Sequence, residues 1–215
     1  MEPLSRFHFR WADREGTLSE IMDNRLRVLI VEDEGIISAG LVACVETLGH
    51  IVAGQAYTGK EAIDIALNEP VDIILMDINL PDMTGIDALK IITEKKEIPC
   101  VFVTGYSDQQ LILEANEIPQ TYGYLIKPID QAELGAAIKI AIKRDRERKN
   151  LEDAVIHAEK ELSDRKLIER AKGLLMDAFS MREQDAMRSI QKRSNEQNKK
   201  MSVVAREIIE FLEKK

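Results

Sequence analysis

The fold is decided by Val71-Asp72-Ile73-Ile74-Leu75-Met76-Asp77-Ile78-Asn79-Leu80-Pro81. An apolar run without a helical period reads as a strand buried on both faces. It ends on a carboxylate, Asp77, and a turn follows at once through Asn79, Leu80-Pro81-Asp82 and Gly85. Asp77 therefore falls at the carboxyl end of a central strand, the place where open α/β sheets bind their ligands. On its own, such an aspartate is more readily the first residue of a turn than a site, so the flanking chain has to decide.

On either side, further apolar runs alternate with helical patterns. Residues 26–31 and 51–56 read as strands before the central one, and residues 100–104 and 122–126 as strands after it. Helices are expected over 36–48, 59–68, 85–96 and 107–116, with Gly49 and Pro70 as stops. Strand-helix alternation with short loops means parallel strands joined by right-handed crossovers. The expected fold is α/β, a doubly wound five-stranded parallel sheet of strand order 2-1-3-4-5 over residues 25–142. Residues 1–24 are polar and aperiodic and read as a poorly ordered extension. Residues 143–162 read as a helical linker in which Leu151, Val155, Ala158 and Leu162 recur at coiled-coil spacing. A small three-helix domain is expected over 163–215, from patterns at 167–178, 183–194 and 203–212.

Composition narrows the class. Of 215 residues, 45% are hydrophobic and 32% charged, as suits a chain with a real core. No apolar run approaches the roughly 20 residues that cross a bilayer, and no secretory signal is visible at the start. Cys44 and Cys100 read as small core residues in a reducing compartment. The expectation is a cytoplasmic protein with no membrane partner. The net charge of −8 is unevenly spread. Residues 163–215 carry 13 Lys and Arg against 9 Asp and Glu, a net of +4, which leaves −12 for the rest. An acidic front and a basic tail suggest two tasks.

In the expected strand order, Glu32 and Asp33 at the end of the first strand neighbour Asp77 at the topological switch point. Three carboxylates together repel, and a hard divalent cation relieves the repulsion. Mg²⁺ suits few protein oxygens and several retained waters, and the carbonyl of Asn79 can add another oxygen. Thr104 closes the fourth strand and Lys127 the fifth. A hydroxyl and an ammonium beside three acids and a metal make a phosphoryl site in which Asp77 acts as the nucleophile. Singly, each residue has a plainer reading: Thr104 as a β-former, Lys127 as a rim cation, Glu32 and Asp33 as helix N-terminal acids. All five at strand carboxyl ends, in this order, make the site the better reading.

These residues resemble the flavodoxin-like receiver domain of bacterial two-component response regulators. The likeness rests on Val31-Glu32-Asp33-Glu34, Met76-Asp77-Ile78-Asn79-Leu80-Pro81, Gly85, Val103-Thr104-Gly105 and Leu125-Ile126-Lys127-Pro128. It implies that Asp77 accepts phosphate from a cognate histidine kinase. It implies Mg²⁺ held by Asp33, Asp77 and the Asn79 carbonyl with Glu32 assisting, a switch pair of Thr104 and Tyr124, and a cis peptide before Pro128. Ile129 stands where many members carry Phe.

The tail contains Ile168-Glu169-Arg170-Ala171-Lys172-Gly173-Leu174-Leu175-Met176, then Ala186-Met187-Arg188-Ser189-Ile190, then Val203-Val204-Ala205-Arg206-Glu207-Ile208-Ile209. It resembles the ANTAR domain, an RNA-binding antitermination module. Two departures are Arg182, where members often have a Ser or Thr cap, and Ser194-Asn195. The small residues Ala171, Gly173, Ala186 and Ala205 are expected to permit close helix packing, and Phe179 and Phe211 to belong to the core. Lys172, Gly173, Arg188, Arg193, Lys199 and Lys200 are the candidate RNA-binding residues, the cations meeting phosphates. The combined expectation is a regulator that dimerises when phosphorylated and then binds an RNA hairpin in a transcript leader. The competing reading is a phosphorelay or protein-interaction module whose tail only dimerises. An enzyme is not expected, because no second cluster of catalytic residues is present.

Overall fold

The computed structural model describes residues 25–105 and 113–213. The expectation for residues 1–24 lies outside them, as does most of the helix expected over 107–116, of which 113–115 is helical. The chain divides into two compact units, Met1–Glu147 and Arg148–Lys215.

The first unit runs β1 (Arg27–Val31), α1 (Gly35–Thr47), β2 (Ile51–Ala56), α2 (Gly59–Asn68), β3 (Ile73–Asp77), α3 (Gly85–Thr93), β4 (Cys100–Thr104) and β5 (Thr121–Ile126), and then enters α4 (Gln131–Phe179). The five strands are parallel in the order β2-β1-β3-β4-β5, as expected. Every residue of β3 is buried. The period of two explains why the run has no polar face: Ile74 and Met76 enter one core layer, Ile73 and Leu75 the other. The first layer packs Leu29 and Phe102 against Ala62, Ala66, Leu89 and Ile92 of α2 and α3. The second packs Val28, Ile30 and Val101 against Leu41 and Val45 of α1 and Leu134, Ile138 and Ala141 of α4. Each fully buried aliphatic side chain contributes about 1.5–3 kcal/mol. Helices α2 and α3 begin at Thr58 and Thr84, whose hydroxyls accept from the amides of Glu61 (3.2 Å) and Asp87 (3.0 Å).

The second unit packs the last turns of α4 with α5 (Glu183–Gln197) and α6 (Met201–Glu213). Its core is Ala171, Ile190, Val204, Ala205, Ile208 and Ile209, with Leu167, Leu174 and Leu175 half-buried against it. One expectation is revised here. The helix expected over 167–178 is not a separate element but the end of the linker helix, 49 residues without a break. No proline interrupts residues 131–179, and the charged stretch is laced by i,i+4 pairs: Lys143–Glu147 (3.8 Å), Arg148–Glu152 (2.6 Å) and His157–Glu161 (3.7 Å). The helix ends just before Ser180, whose φ of 51° is left-handed.

Candidate functional site

Parallel pairing in register brings the strand ends together: Val31 pairs with Met76, Asp77 with Val103, and Thr104 with Ile126. The residues just beyond these ends therefore share one sheet edge. Glu32, Asp33 and Asp77 each offer a carboxylate oxygen, and these atoms lie within 4.8 Å of one another. Glu32 is fully buried, Asp77 is 5% exposed, and Asp33 stands in solvent. The ammonium of Lys127 donates to Asp77 Oδ2 at 2.5 Å and lies 2.9 and 2.8 Å from the two oxygens of Glu32. Burial is the main force raising the Glu32 carboxyl above its ordinary range; the Asp77 charge adds to it, and Lys127 opposes it. Burial would lower the Lys127 pKa, but its bonds to Asp77 and Glu32 outweigh that and hold it above the usual lysine value. The peptide between Lys127 and Pro128 is cis.

The turn after β3 is held on several sides. The amide of Asn79 donates to Asp77 Oδ1 at 3.1 Å, and Asn79 bridges to Thr84. Gly85 donates its amide to the carbonyl of Ile78 at 2.8 Å. Asp82 accepts from the amides of Gly59 (2.7 Å) and Lys60 (3.1 Å), tying the turn to the start of α2, and these amides hold its carboxyl below the ordinary range. The sequence marks Asp82 only by its place in Leu80-Pro81-Asp82, because its partners are more than twenty residues away in the chain. Thr104 is buried, and its hydroxyl donates to the Gly105 carbonyl at 3.1 Å. Tyr124 stacks on Phe102 with ring centroids 6.0 Å apart and donates to Asn116 Oδ1 at 2.9 Å. Burial pushes its hydroxyl up to about 12. Glu32, Asp33, Asp77 and Lys127 thus converge, with Asn79 in the turn after Asp77 and Thr104 at the end of β4, while the Tyr124 hydroxyl is engaged with Asn116.

The donor set fits a hard cation. Three carboxylates, one of them open to water, suit Mg²⁺, which binds few protein oxygens and keeps part of its water shell.

In the second unit the candidate RNA residues fall into two groups. Arg188, Arg193 and Lys200 are exposed, and their side chains make no hydrogen bond or ion pair among the described residues. Lys172 lies between Glu169 (2.6 Å) and Glu183 (2.7 Å), and these two carboxylates raise its pKa. Lys199 is held by Glu207 at 2.5 Å. The packing expectation holds for Ala171, Ala186 and Ala205, all fully buried. It is revised for Gly173, where an added Cβ would meet nothing within 4 Å. It is revised also for Phe179 and Phe211, residues that are 60% and 62% exposed. The two departures from the family pattern have local roles. Arg182 gives no side-chain cap but bonds Asp185 at 3.1 Å. Ser194 is buried, and its hydroxyl donates to the Lys199 carbonyl at 2.5 Å, closing the α5–α6 turn beside left-handed Asn198.

A buried aspartate beside a lysine and two further acids, at the switch point of a 2-1-3-4-5 sheet, is the arrangement expected of a receiver domain. Residues 28–139 match the model of the response regulator receiver domain, and residues 157–209 match the ANTAR domain. The chain belongs to the response regulators, with an N-terminal receiver domain and a C-terminal ANTAR domain. It is 37% identical over 186 residues to the transcriptional regulatory protein PdtaR of Mycobacterium tuberculosis, covering 86% of this chain and 90% of that protein. It is 36% identical over 118 residues to the transcriptional regulatory protein YdfI of Bacillus subtilis, covering 54% of this chain and 55% of that one. The CheY-like receiver of Methanospirillum hungatei superposes with a TM-score of 0.53 at 27% identity, covering 58% of this chain and 99% of that one. A receiver joined to an ANTAR domain makes this a phosphorylation-controlled transcriptional regulator of the antitermination class, acting on RNA. The receiver implies a histidine kinase as partner. Among the described residues, no helix is long and apolar enough to cross a membrane.

Proposed function

We propose that Asp77 is the phosphoacceptor, that Glu32, Asp33, Asp77 and the Asn79 carbonyl hold Mg²⁺ beside it, and that phosphorylation favours a dimer that binds RNA hairpins. The observation that carries this reading is Lys127 Nζ at 2.5 Å from Asp77 Oδ2 within the acidic cluster. In the transfer, the bond from a kinase histidine nitrogen to phosphorus breaks as one from Asp77 oxygen to phosphorus forms, leaving a free imidazole and an acyl phosphate. A cation held by these residues would supply charge neutralisation for the phosphoryl oxygens. Lys127 does the same from the protein side. Thr104 and Tyr124 then act as the switch pair: the hydroxyl of Thr104 turns to a phosphoryl oxygen, and the ring of Tyr124 follows it inward.

The output rests on two surfaces. Leu151, Val155 and Leu162 are 68%, 56% and 55% exposed on α4, and with exposed Ala158 they form the seam of a dimer. Arg188, Arg193 and Lys200 carry the phosphate contacts, and Gly173 leaves bare backbone for close approach. Lys172 and Lys199 contribute less, because neighbouring carboxylates already neutralise them.

Small-molecule phosphodonor and Mg²⁺ test the site. The parent should label, and the Asp77→Asn variant should fold, by circular dichroism, and remain unlabelled. Equal labelling of the two would assign the acceptor elsewhere.

A further inference from the structure

Tyr122 breaks the alternation of β5. A period of two would place it in the layer of Tyr124, on the α2 and α3 side of the sheet. Tyr122 packs instead in the other layer, with residues of α1 and α4. The cause is a β-bulge: Thr121 stands opposite Cys100 and Gly123 opposite Val101, so the register skips Tyr122. Bulges re-aim side chains. This one brings the Tyr122 hydroxyl to α4, where it donates to Asp145 Oδ1 at 3.1 Å. Asp145 is 5% exposed and continues the buried row of Leu134, Ile138 and Ala141 at helical spacing. A carboxylate in an apolar row is costly to bury without a donor. The bulge on one element and the acid on the other thus serve a single contact.

We propose that Tyr122 and Asp145 are positioning residues whose hydrogen bond restrains α4 where it leaves the sheet, and that phosphorylation of Asp77 releases the restraint. The inference rests on the switch pair and the dimer of the proposed function and adds the link between them. β5 is an edge strand, bonded to β4 alone, so it can shift without breaking a second ladder. It also carries Tyr124, two residues beyond Tyr122. The Tyr122–Asp145 bond is made while the Tyr124 hydroxyl holds Asn116. Drawing the Tyr124 ring inward pulls on β5, whereas Asp145 stays with its own helix. At 3.1 Å the bond is already long for two oxygens, and about half an ångström more breaks it. A contact made in one state and lost in the other biases the equilibrium by its own strength. Its loss leaves the turn of α4 that precedes Leu151 and Val155 free to adapt to a second copy.

The test is sedimentation of the full chain, with and without a small-molecule phosphodonor and Mg²⁺. Tyr122→Phe removes the hydroxyl alone. Without phosphodonor it should associate roughly tenfold more tightly than the parent, the equilibrium effect of one hydrogen bond to a charged group. With phosphodonor the two should match. Asp145→Asn, which keeps an acceptor oxygen, should behave as the parent, and Asp145→Ala as Tyr122→Phe. Joining Tyr122→Phe to Asp145→Ala should add nothing to either alone. Labelling of Asp77 should persist throughout. A bond that only stabilises the receiver would lower Tm in Tyr122→Phe and leave association in both states as in the parent, which would overturn the proposal. Weaker association of phosphorylated Tyr122→Phe than of the phosphorylated parent would overturn it too. A parent whose sedimentation ignores the phosphodonor would overturn the dimer reading and this proposal together.

Discussion

A Cβ added at residue 85 would lie 2.1 Å from the carbonyl oxygen of Asp77 and 3.0 Å from Met76 Cγ. The obstruction is backbone at the end of β3, so it cannot swing aside. Gly85→Ala should cost about 1–3 kcal/mol in urea unfolding and slow labelling of Asp77, because β3 must shift at the acceptor. A variant as stable and as quickly labelled as the parent would refute the constraint. A second residue governs acid stability. Asp72 accepts from the Arg27 amide (2.8 Å), Nε (3.0 Å) and Nη2 (2.8 Å), and the Arg27 guanidinium holds its carboxyl below the ordinary 3.8. A lowered folded pKa means stability present above the unfolded value and lost as pH falls through the folded one. Both side chains meet solvent, so the effect is screened. Asp72→Asn should lower Tm by about 2–4 °C at pH 7. The gap to the parent should close as pH falls below the ordinary 3.8 and through the lowered folded value, where Asp72 itself protonates.

At the scale of the element, α4 is the telling case. Its first turns bury Leu134, Ile138 and Ala141 under the sheet, and its last turns bury Ala171 in the second core. Between them lie exposed residues held helical in part by the Lys143–Glu147 and Arg148–Glu152 pairs, worth only a few tenths of a kcal/mol each. In the proposed dimer, this apolar row with no core of its own packs against a second copy. Leu151→Lys with Leu162→Lys should leave Asp77 labelling unchanged and give a monomer by sedimentation under phosphorylating conditions. A parent that is itself monomeric there would sink the seam.

For the whole molecule, charge distribution sets the behaviour. A tail of net +4 attached to a remainder of −12 binds polyanions weakly as a single copy. Pairing two copies makes the second contact intramolecular, which raises avidity by about 10²-fold or more. Phosphorylated protein should therefore bind a two-hairpin RNA more tightly than resting protein. Arg188→Ala and Lys200→Ala should each flatten the logarithmic salt slope by roughly one unit for each RNA phosphate no longer neutralised, and Lys172→Ala by less. Titration at two salt concentrations measures both. Equal affinity in the two states would mean that receiver and tail are uncoupled.

The sequence by itself determined the five strands, their order and the acidic edge. Those features are written locally: a continuous apolar run, a period of two, a carboxylate or lysine at the ends of β1, β3 and β5, and motifs whose spacing survives without coordinates. The tertiary structure decided what depends on partners distant in the chain. It buries Glu32 and leaves Asp33 in water, though the two are adjacent just past β1, because the Glu32 amide stays bonded to the Ala56 carbonyl at 3.0 Å and its carboxylate turns in to Lys127. It makes Gly85 obligatory through the Asp77 carbonyl, and Asp82 a clasp for α2. It joins the linker to the first helix of the ANTAR unit, where a polar stretch had read as a boundary, because helix continuity needs only the absence of a breaker and a core at each end. It places Phe179 and Phe211 at a cavity instead of in the core, and gives Lys172 to Glu169 and Glu183. Aromatic and cationic residues carry no local mark of their neighbours; only packing chooses between a core, an ion pair and an open face.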